Sequence, residues 1–337
     1  MTSLKSAGLR LISSKYFQLG LGIIISGLSL YLALANVSLQ EMGASLRQVV
    51  PTYLGLALSS VAVNMFSKGF RWRVLLGQTG QRVKFLKILR AMFVGQMFNL
   101  IFPGRVGDLS RAQMVGRLDG GRVFVLGTVA LEKILDMLSY ALLFITILIL
   151  IPLPAWMGQS AYILTGIALV LGLTTFVAAN QQYRVTRVLE KSLNRLPLPR
   201  KEQFKRYIRS GFSSLNTLQS RGDILKLVGW SALIWLTAIL NNHLLMWAMN
   251  IHLPLTASIL LLIILQAGIS IPSVPGRIGV FEYLCVLTLS LFGIEQATAL
   301  SYGILLHSIT LIPQLLVGLS FFWLSGLPGE KIYIEAN

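Results

Sequence analysis

The sequence predicts an all-α membrane protein that crosses the bilayer several times. Of its 337 residues, 55% are hydrophobic and only 12% are charged, whereas soluble domains carry about 25% charged residues. Apolar stretches of about 20 residues, the length that crosses a bilayer as a helix, recur along the chain. Lysine and arginine concentrate between these stretches, a distribution that the positive-inside rule describes for membrane proteins.

Six apolar stretches are long enough for full crossings. They lie at about 18–36, 52–67, 123–151, 160–179, 225–248 and 297–325. Two further segments, at about 88–118 and 257–292, are interrupted by proline, glycine and arginine, and we expect each to enter and leave by the same face. The sequence therefore predicts about six full transmembrane helices plus two re-entrant broken hairpins. The alternative is that the prolines only kink ordinary transmembrane helices.

The positions of the basic residues predict the topology. With both hairpins re-entrant, the N- and C-termini and the basic segment at about 181–223 face the cytoplasm. Of the 29 lysine and arginine residues, only Arg47 and Arg277 then lie outside and only Lys133 lies within a span. The net charge of +17 therefore fits a membrane topology, and no nucleic-acid partner is expected. The first span also resembles a signal peptide, but its length favours a retained helix.

A short sequence repeat relates the two halves of the chain. The residues PGRVG at Pro103–Gly107 recur 172 positions later as PGRIG at Pro275–Gly279, and neighbouring spans keep nearly the same offset. We therefore expect one domain, 1–337, with pseudo-repeat halves at about 16–152 and 158–326. Three predicted crossings separate the two PGR segments, so the halves would have opposite orientation. Such inverted-topology repeats are typical of secondary transporters, whose broken segments form the substrate site.

The sequence around the two PGR turns resembles a known family. The stretches NLIFPGRVGDLSRA, from Asn99 to Ala112, and PSVPGRIGVFE, from Pro272 to Glu282, are similar to the lysylphosphatidylglycerol synthase transmembrane-region family, flippase-like membrane proteins of bacteria and archaea. In two-part members the membrane domain resembles a lipid flippase, and a separate soluble domain performs aminoacylation. We expect no room for that soluble domain before Asn337. The resemblance thus implies lipid translocation in the cytoplasmic (inner) membrane of a prokaryote.

Polar residues near the turns are candidates for substrate binding. Backbone N–H groups in glycine-containing turns can form an anion-binding nest, and arginine offers a planar fork suited to phosphate. We expect Arg105 and Arg111 to hold a lipid phosphate and Asp108 to pair with one of them. Glu282 would pair with Arg277 or bind a cation. The alternative is a salt-bridged turn with a purely architectural role. The candidates are Asn99, Arg105, Asp108, Arg111, Arg277 and Glu282.

A second group of candidates lies within the predicted spans. Glu132 and Asp136 are four residues apart and share a helix face, with Lys133 beside them. His307 corresponds to Lys133 in the sixth span by the repeat offset. A charge at the centre of a transmembrane helix costs about 2.5–3.5 kcal/mol, so we predict a substrate path or proton relay. The alternatives are a neutralised structural triad and, for His307, a helix-to-helix hydrogen bond.

The tripeptide Arg71-Trp72-Arg73 follows the second span. Tryptophan anchors helices at membrane interfaces, and arginine attracts anionic headgroups. We therefore expect these residues to anchor the helix at the cytoplasmic surface, with a specific lipid site as the alternative.

The function that these features favour is translocation of a lipid or lipid-linked anionic substrate by alternating access. The expected partner is a membrane lipid with an anionic or phosphate-bearing headgroup, together with a lipid-biosynthesis enzyme. Alternatives are a lipid- or lipid-sugar-modifying enzyme or its accessory subunit, a secondary transporter of a small anion, and a non-transporting scaffold. We find no Walker loop, HExxH or other catalytic motif, and we expect no cofactor and no metal.

Overall fold

The computed structural model describes residues 15–35, 37–102, 105–116, 121–150, 155–195, 201–268, 271 and 273–325. Within them every regular element is helical, which confirms the all-α prediction, and a helix lies at each of the six predicted spans. The α-helices are α1 (Lys15–Leu34), α2 (Leu39–Arg47), α3 (Pro51–Leu75), α4 (Gly77–Arg82), α5 (Phe85–Ile101), α6 (Val106–Gly116), α7 (Arg122–Leu150), α8 (Ala155–Asn180), α9 (Gln182–Arg195), α10 (Lys201–Ser213), α11 (Arg221–Ala248), α12 (Leu255–Ala267), α13 (Val280–Ser290) and α14 (Gln296–Ser325). Short 3₁₀ helices occupy Ser214–Gln219 and Pro275–Arg277.

Three of the described helices, α7, α11 and α14, are each long and apolar enough to cross a membrane. The pair α1 and α2 is a fourth candidate, and its two helices are bent by 77°. Large apolar side chains on the long helices point outward, and Ile149, Leu236 and Trp323 are 79%, 63% and 76% exposed. Such exposure is favourable where lipid is the solvent. The chain is therefore a helical membrane protein.

The first of two compact units comprises Met1–Val61 and Ala238–Ile312. Its core contains Leu245, Leu261, Leu289 and Leu300, together with the fully buried Cys285, which the amino-acid pattern predicts as a small core residue. In this unit α13 packs against α1 and α12.

The second PGR turn is fixed against α1 in this unit. The backbone N–H of Val274 donates a hydrogen bond to Ser26 Oγ at 3.0 Å. A Cβ atom on Gly279 would overlap the carbonyl oxygen of Ser26, and Gly279 has a φ of 91°, which favours glycine. The turn therefore depends on glycine for both its conformation and its contact. Pro272 lies outside the described residues.

The second unit comprises Ala62–Thr237 and Pro313–Asn337. Here the interrupted segment predicted at 88–118 forms two helices, α5 and α6, that pack against each other. Their closest approach is at Gly95 and Gly107, where a Cβ atom on Gly107 would overlap the carbonyl oxygen of Gly95. Arg105, in the turn between them, has a φ of 56°. Pro103 and Gly104 lie outside the described residues.

The contact between α5 and α6 generates a testable prediction. Gly107→Ala places a methyl group on the backbone of α5, so we expect the hairpin to separate and the yield of folded protein to fall sharply. The matched control is Gly229→Ala in α11, where an added Cβ meets no atom within 4 Å and alanine favours the helix. The measurement is the monodisperse fraction in size-exclusion chromatography after detergent extraction. Equal yields from both variants would contradict the tight contact.

Candidate functional site

Six charged side chains on α3, α6 and α7 lie together in the second unit, and we call them the charge cluster: Lys68, Arg71, Arg111, Glu132, Lys133 and Asp136. Two ion pairs hold it together. Arg111 Nη2 lies 2.6 Å from Glu132 Oε2, and Arg71 Nη2 lies 2.7 Å from Asp136 Oδ1. The side chains of Arg71 and Arg111 are only 1% and 3% exposed. The structure thus brings Glu132 and Asp136 to one site but gives each its own arginine.

The helical spacing of α7 explains how the cluster forms. Thr128, Glu132 and Asp136 are separated by four residues each, so they lie on one face of the helix. Trp72 of α3 is fully buried against this face and donates a hydrogen bond from Nε1 to Thr128 Oγ1 at 3.1 Å. The Arg111 guanidinium lies over the Trp72 ring, 4.1 Å from its centroid, a distance at which a cation–π interaction stabilises the arginine.

The predicted anchoring role of Arg71 and Trp72 is wrong. Both side chains are buried in the charge cluster, because the carboxylates of α7 require cationic partners in an apolar environment. Arg71 also donates to Ser231 Oγ at 3.2 Å. Arg73 is half-buried and donates from Nε to the carbonyl oxygen of Gly80 at 3.0 Å.

The charge cluster contains more positive than negative charge. Its four cations face two carboxylates, which leaves two positive charges uncompensated. Lys68 and Lys133 are half-buried and have no hydrogen-bond or ion-pair partner among the described residues. The Nε atoms of Arg71 and Arg111 are buried, also without an acceptor in the described part of the chain. Buried donors normally have partners, so this arrangement can accept an anion.

Asn99 organises the first PGR turn. Its Oδ1 accepts a hydrogen bond from the backbone N–H of Gly107 at 2.8 Å, and its Nδ2 donates to Asp108 Oδ1 at 3.1 Å. The carboxylate of Asp108 is therefore held by an amide, and the expected ion pair of Asp108 with Arg105 or Arg111 is absent from the described residues. Arg105 is exposed and its guanidinium has no hydrogen-bond partner within the described ranges.

Glu282 organises the second PGR turn. Its Oε2 accepts a hydrogen bond from the backbone N–H of Gly279 at 2.6 Å, and its Oε1 lies 2.6 Å from His307 Nδ1. The Phe281 ring stacks on the His307 ring with centroids 4.3 Å apart. His307 is thus a helix-to-helix partner of Glu282, a pairing that the sequence analysis did not anticipate. Arg277 has a φ of 61° and an exposed side chain.

The surroundings of the two turns share a local arrangement. In each unit the helix after the turn is joined to the next long helix by one buried pair, Arg111 with Glu132 in one unit and Glu282 with His307 in the other. Arg105 and Arg277, which occupy the same place in the two PGR sequences, both have positive φ values. The helix after the turn carries the basic partner, Arg111, in the second unit and the acidic partner, Glu282, in the first unit.

The sequence analysis missed Lys68 as a member of the site and gave a lipid site for Arg71 and Trp72 only as the alternative to anchoring. One signal in the sequence could have identified them. Carboxylates four residues apart in an apolar helix need cationic partners, and α3 has three basic residues at the end that is predicted to face the cytoplasm. Lys68 and Arg71 are three residues apart, so they share a helix face.

The burial of the pairs predicts unequal effects on stability. Glu132→Ala leaves the Arg111 guanidinium buried without its carboxylate, so we expect the free energy of unfolding to fall by about 3–5 kcal/mol. Asp136→Ala is the matched comparison, and its effect should be smaller because the Asp136 side chain is 33% exposed and Arg71 keeps its hydrogen bond to Ser231. Thermal unfolding in detergent, followed by tryptophan fluorescence, measures both. A larger loss for Asp136→Ala would contradict this assignment of burial.

Comparison with known proteins agrees with the membrane-protein composition of the chain and with the family resemblance around its two PGR turns. Residues 19–318 match the family described as Lysylphosphatidylglycerol synthase TM region. The chain is also 29% identical over 121 residues to a protein named Glycosyltransferase AglD from Haloferax volcanii. That match covers 36% of this chain and 19% of the relative, so the chain spans about a fifth of that protein's length. No solved structure matches the chain significantly. The chain belongs to the lysylphosphatidylglycerol synthase transmembrane-region family.

Proposed function

We propose that the protein translocates a lipid or lipid-linked anionic substrate across the membrane, with the charge cluster holding the anionic headgroup. The observation that carries this proposal is the excess of two positive charges among half-buried and buried side chains. An uncompensated cation within a membrane helix is costly and normally faces a ligand or a water-filled cavity. A phosphate-bearing headgroup would supply the missing negative charge and the acceptors for the free donors. Family membership supports a lipid-related role.

The arginines near the first turn have different tasks in this proposal. Arg111 is fixed by Glu132 and Trp72, so it acts as a rigid part of the site, and its buried Nε, which has no acceptor among the described residues, is available to a ligand. Arg105 is exposed at the turn and makes the first contact with an arriving headgroup. Lys68 and Lys133 then provide the charges that form no ion pair with a carboxylate of the described residues.

The proposed transport cycle uses alternating access in an inverted repeat with six full spans and two re-entrant hairpins. The shared arrangement around the two turns and the equal conformations of Arg105 and Arg277 support this repeat. Both termini and the basic segment at about 181–223 lie in the cytoplasm in this scheme, as the distribution of lysine and arginine favours. In such transporters the broken segments of the two halves form the binding site.

The free lysines provide the direct test. Lys133→Gln and Lys68→Gln each remove a charge that has no described partner, so folding should persist while transport of an anionic lipid falls by about 10–100-fold. The matched control is Lys226→Gln, which changes an exposed lysine that pairs with Asp223 at 3.0 Å. The assay reconstitutes each variant with headgroup-labelled fluorescent lipids and measures the fraction that becomes accessible to an impermeant quencher.

Three outcomes of that assay differ in meaning. Loss of transport in both cluster variants, with the control active, supports the proposal. Full activity of Lys133→Gln and Lys68→Gln refutes a headgroup role for the cluster. Uptake of soluble phosphate without any lipid translocation assigns the cluster to a small anion instead.

We propose that the pair of Glu282 and His307 couples transport to protons. Histidine changes its charge between about pH 5 and 8, and this one touches a carboxylate at 2.6 Å. We expect an imposed pH gradient to change the transport rate of the unaltered protein several-fold, and His307→Gln to abolish that response. The comparison variant is His252→Gln, outside the described helices on the loop before α12. A response that survives in His307→Gln removes the proton role.

A role in lipid-sugar transfer is the second candidate, and the similarity to Glycosyltransferase AglD is the observation in its favour. The geometry of the charge cluster supports it less well than translocation. Both carboxylates, Glu132 and Asp136, are held by arginines at 2.6 and 2.7 Å, so neither is free to act as a general base. Formation of a lipid-linked sugar by the purified protein from a nucleotide sugar would favour this candidate.

A further inference from the structure

The charge cluster has an excess of charge that a ligand can match. Its four cations and two carboxylates differ by two positive charges. Asp108, the acidic residue nearest in sequence to Arg111, forms no ion pair with the cluster in the described part of the chain; its Oδ1 instead accepts a hydrogen bond from Asn99 Nδ2 at 3.1 Å. A ligand with two negative charges therefore makes the cluster neutral, whereas a ligand with one leaves a cation uncompensated.

The two arginines of the cluster are committed to its carboxylates. Arg71 Nη2 lies 2.7 Å from Asp136 Oδ1, and its Nη1 donates to Ser231 Oγ at 3.2 Å. Arg111 Nη2 lies 2.6 Å from Glu132 Oε2. Hydrogen bonds of this length between charged groups are strong, and a ligand that displaced a carboxylate would leave that carboxylate buried and unpaired. The charge available to a ligand is therefore that of the two lysines.

The two lysines come from different helices and affect each other. Lys68 is on α3 and Lys133 is on α7, and the charge of Lys133 acts on Lys68. Both are half-buried, so part of each side chain remains accessible to a ligand. Like charges repel each other strongly where the dielectric constant is low. One ligand with two negative charges relieves this repulsion and loses its freedom of motion once, whereas two singly charged ligands lose theirs twice.

A terminal phosphate group has the charge and the acceptors that the lysines require. Phosphomonoesters carry a charge of about −1.5 to −2 at pH 7 and present three strong acceptor oxygens. A phosphodiester, such as that of phosphatidylglycerol, carries a single negative charge, and a zwitterionic headgroup has no net charge. Lysine ammonium groups bind phosphate as point charges and offer several N–H donors each. The chemistry of the cluster thus favours the terminal phosphate over the diester.

We propose that the charge cluster selects a terminal phosphate group with two negative charges, bound by the ammonium groups of Lys68 and Lys133, over a singly charged phosphodiester. This selectivity rests on the proposed function in one respect, namely that the phosphate belongs to a transported lipid. It narrows that substrate to lipids that end in a phosphomonoester or a diphosphate. Inorganic phosphate has the same chemistry and is the soluble source of the group. Arg71 and Arg111 neutralise the carboxylates in this scheme, so the lysines alone match the charge of the ligand.

The first measurement is binding, which does not depend on transport. The full-length protein in detergent is titrated with short-chain phosphatidic acid, phosphatidylglycerol and phosphatidylethanolamine that share the same acyl chains, at about pH 8, where a phosphomonoester is almost fully dianionic. The rise of the thermal unfolding midpoint with lipid concentration gives each affinity. We expect phosphatidic acid to bind about five- to tenfold more tightly than phosphatidylglycerol, and phosphatidylethanolamine to bind most weakly. Equal affinities for phosphatidic acid and phosphatidylglycerol would overturn the proposal.

Removal of one lysine charge should abolish the selectivity. Lys133→Gln reduces the excess to one positive charge, so we expect the preference for phosphatidic acid over phosphatidylglycerol to disappear, and Lys68→Gln should have the same effect from the other helix. The matched control is Lys226→Gln, whose lysine is 62% exposed and pairs with Asp223 at 3.0 Å, and it should keep the full preference. The ratio of two affinities is measured on the same folded protein, so general destabilisation does not change it. An unchanged preference in both cluster variants would contradict the assignment to the lysines.

A transport assay separates this selectivity from the proposed function. Liposomes with the reconstituted protein contain either phosphatidic acid or phosphatidylglycerol with a fluorophore on one acyl chain, and we expect phosphatidic acid to be translocated faster. Equal rates for the two lipids would leave the proposed function standing and overturn the selectivity. Absence of any translocation, with the binding preference intact, would refute the proposed function and keep the terminal phosphate as the ligand. Inorganic phosphate that displaces phosphatidic acid at comparable affinity would support the same chemistry with the free anion as its source.

Discussion

Ionised side chains surrounded by lipid must be paired, and this requirement organises the second unit. The carboxylates of Glu132 and Asp136 lie on one face of α7, and each is matched by an arginine from another helix, Arg111 from α6 and Arg71 from α3. Neither ion pair is local in sequence, so together they fix three helices in register. The pairing also explains the glycine at position 95. A Cβ atom there would overlap the aliphatic stem of Arg111, so glycine at position 95 leaves the space through which Arg111 extends to Glu132.

The same requirement makes the remaining charges informative. Two of the four cations in the cluster pair with the carboxylates of α7, and Lys68 and Lys133 are left without an ion-pair partner among the described residues. A lysine that merely reached the membrane surface would extend its ammonium into water, whereas Lys68 has Asp136, Arg71, Glu132 and Lys133 as its charged neighbours. In the function that we propose, an anionic ligand balances this charge without a further acidic residue, and it can leave, which a protein carboxylate cannot. Reversible neutralisation is the property that a carrier needs.

The sequence predicts the helices well and the partners poorly. Helices occur at all six predicted spans, and each broken segment divides into two helices at or near its PGR turn, because hydropathy and proline act locally. Hydropathy predicts that the second span ends at about 67, whereas the helix α3 continues to Leu75. Lys68 and Arg71 lower the hydropathy of the last part of α3, although the Arg71 side chain is buried and the Lys68 side chain is half-buried. Spacing identified the shared face of Glu132 and Asp136, but it could not show which distant arginine meets each one. The same limit applies to Asp108 and Glu282, whose partners Asn99 and His307 depend on the packing of helices.

The chemical difference between the two buried pairs bears on how each unit can respond to its surroundings. Arginine keeps its charge at every accessible pH, so the link of Arg111 with Glu132 is permanent, and it suits a rigid headgroup site. The link of Glu282 with His307 instead joins a carboxylate and an imidazole at 2.6 Å. Glu282 also accepts the N–H of Gly279, so a change in its pairing acts directly on the second PGR turn. In the described part of the first PGR turn, the backbone N–H of Gly107 is bound by Asn99 and not by Arg111 or Glu132. The proton coupling that we propose therefore rests on the link of Glu282 with His307, which is in direct contact with the second PGR turn.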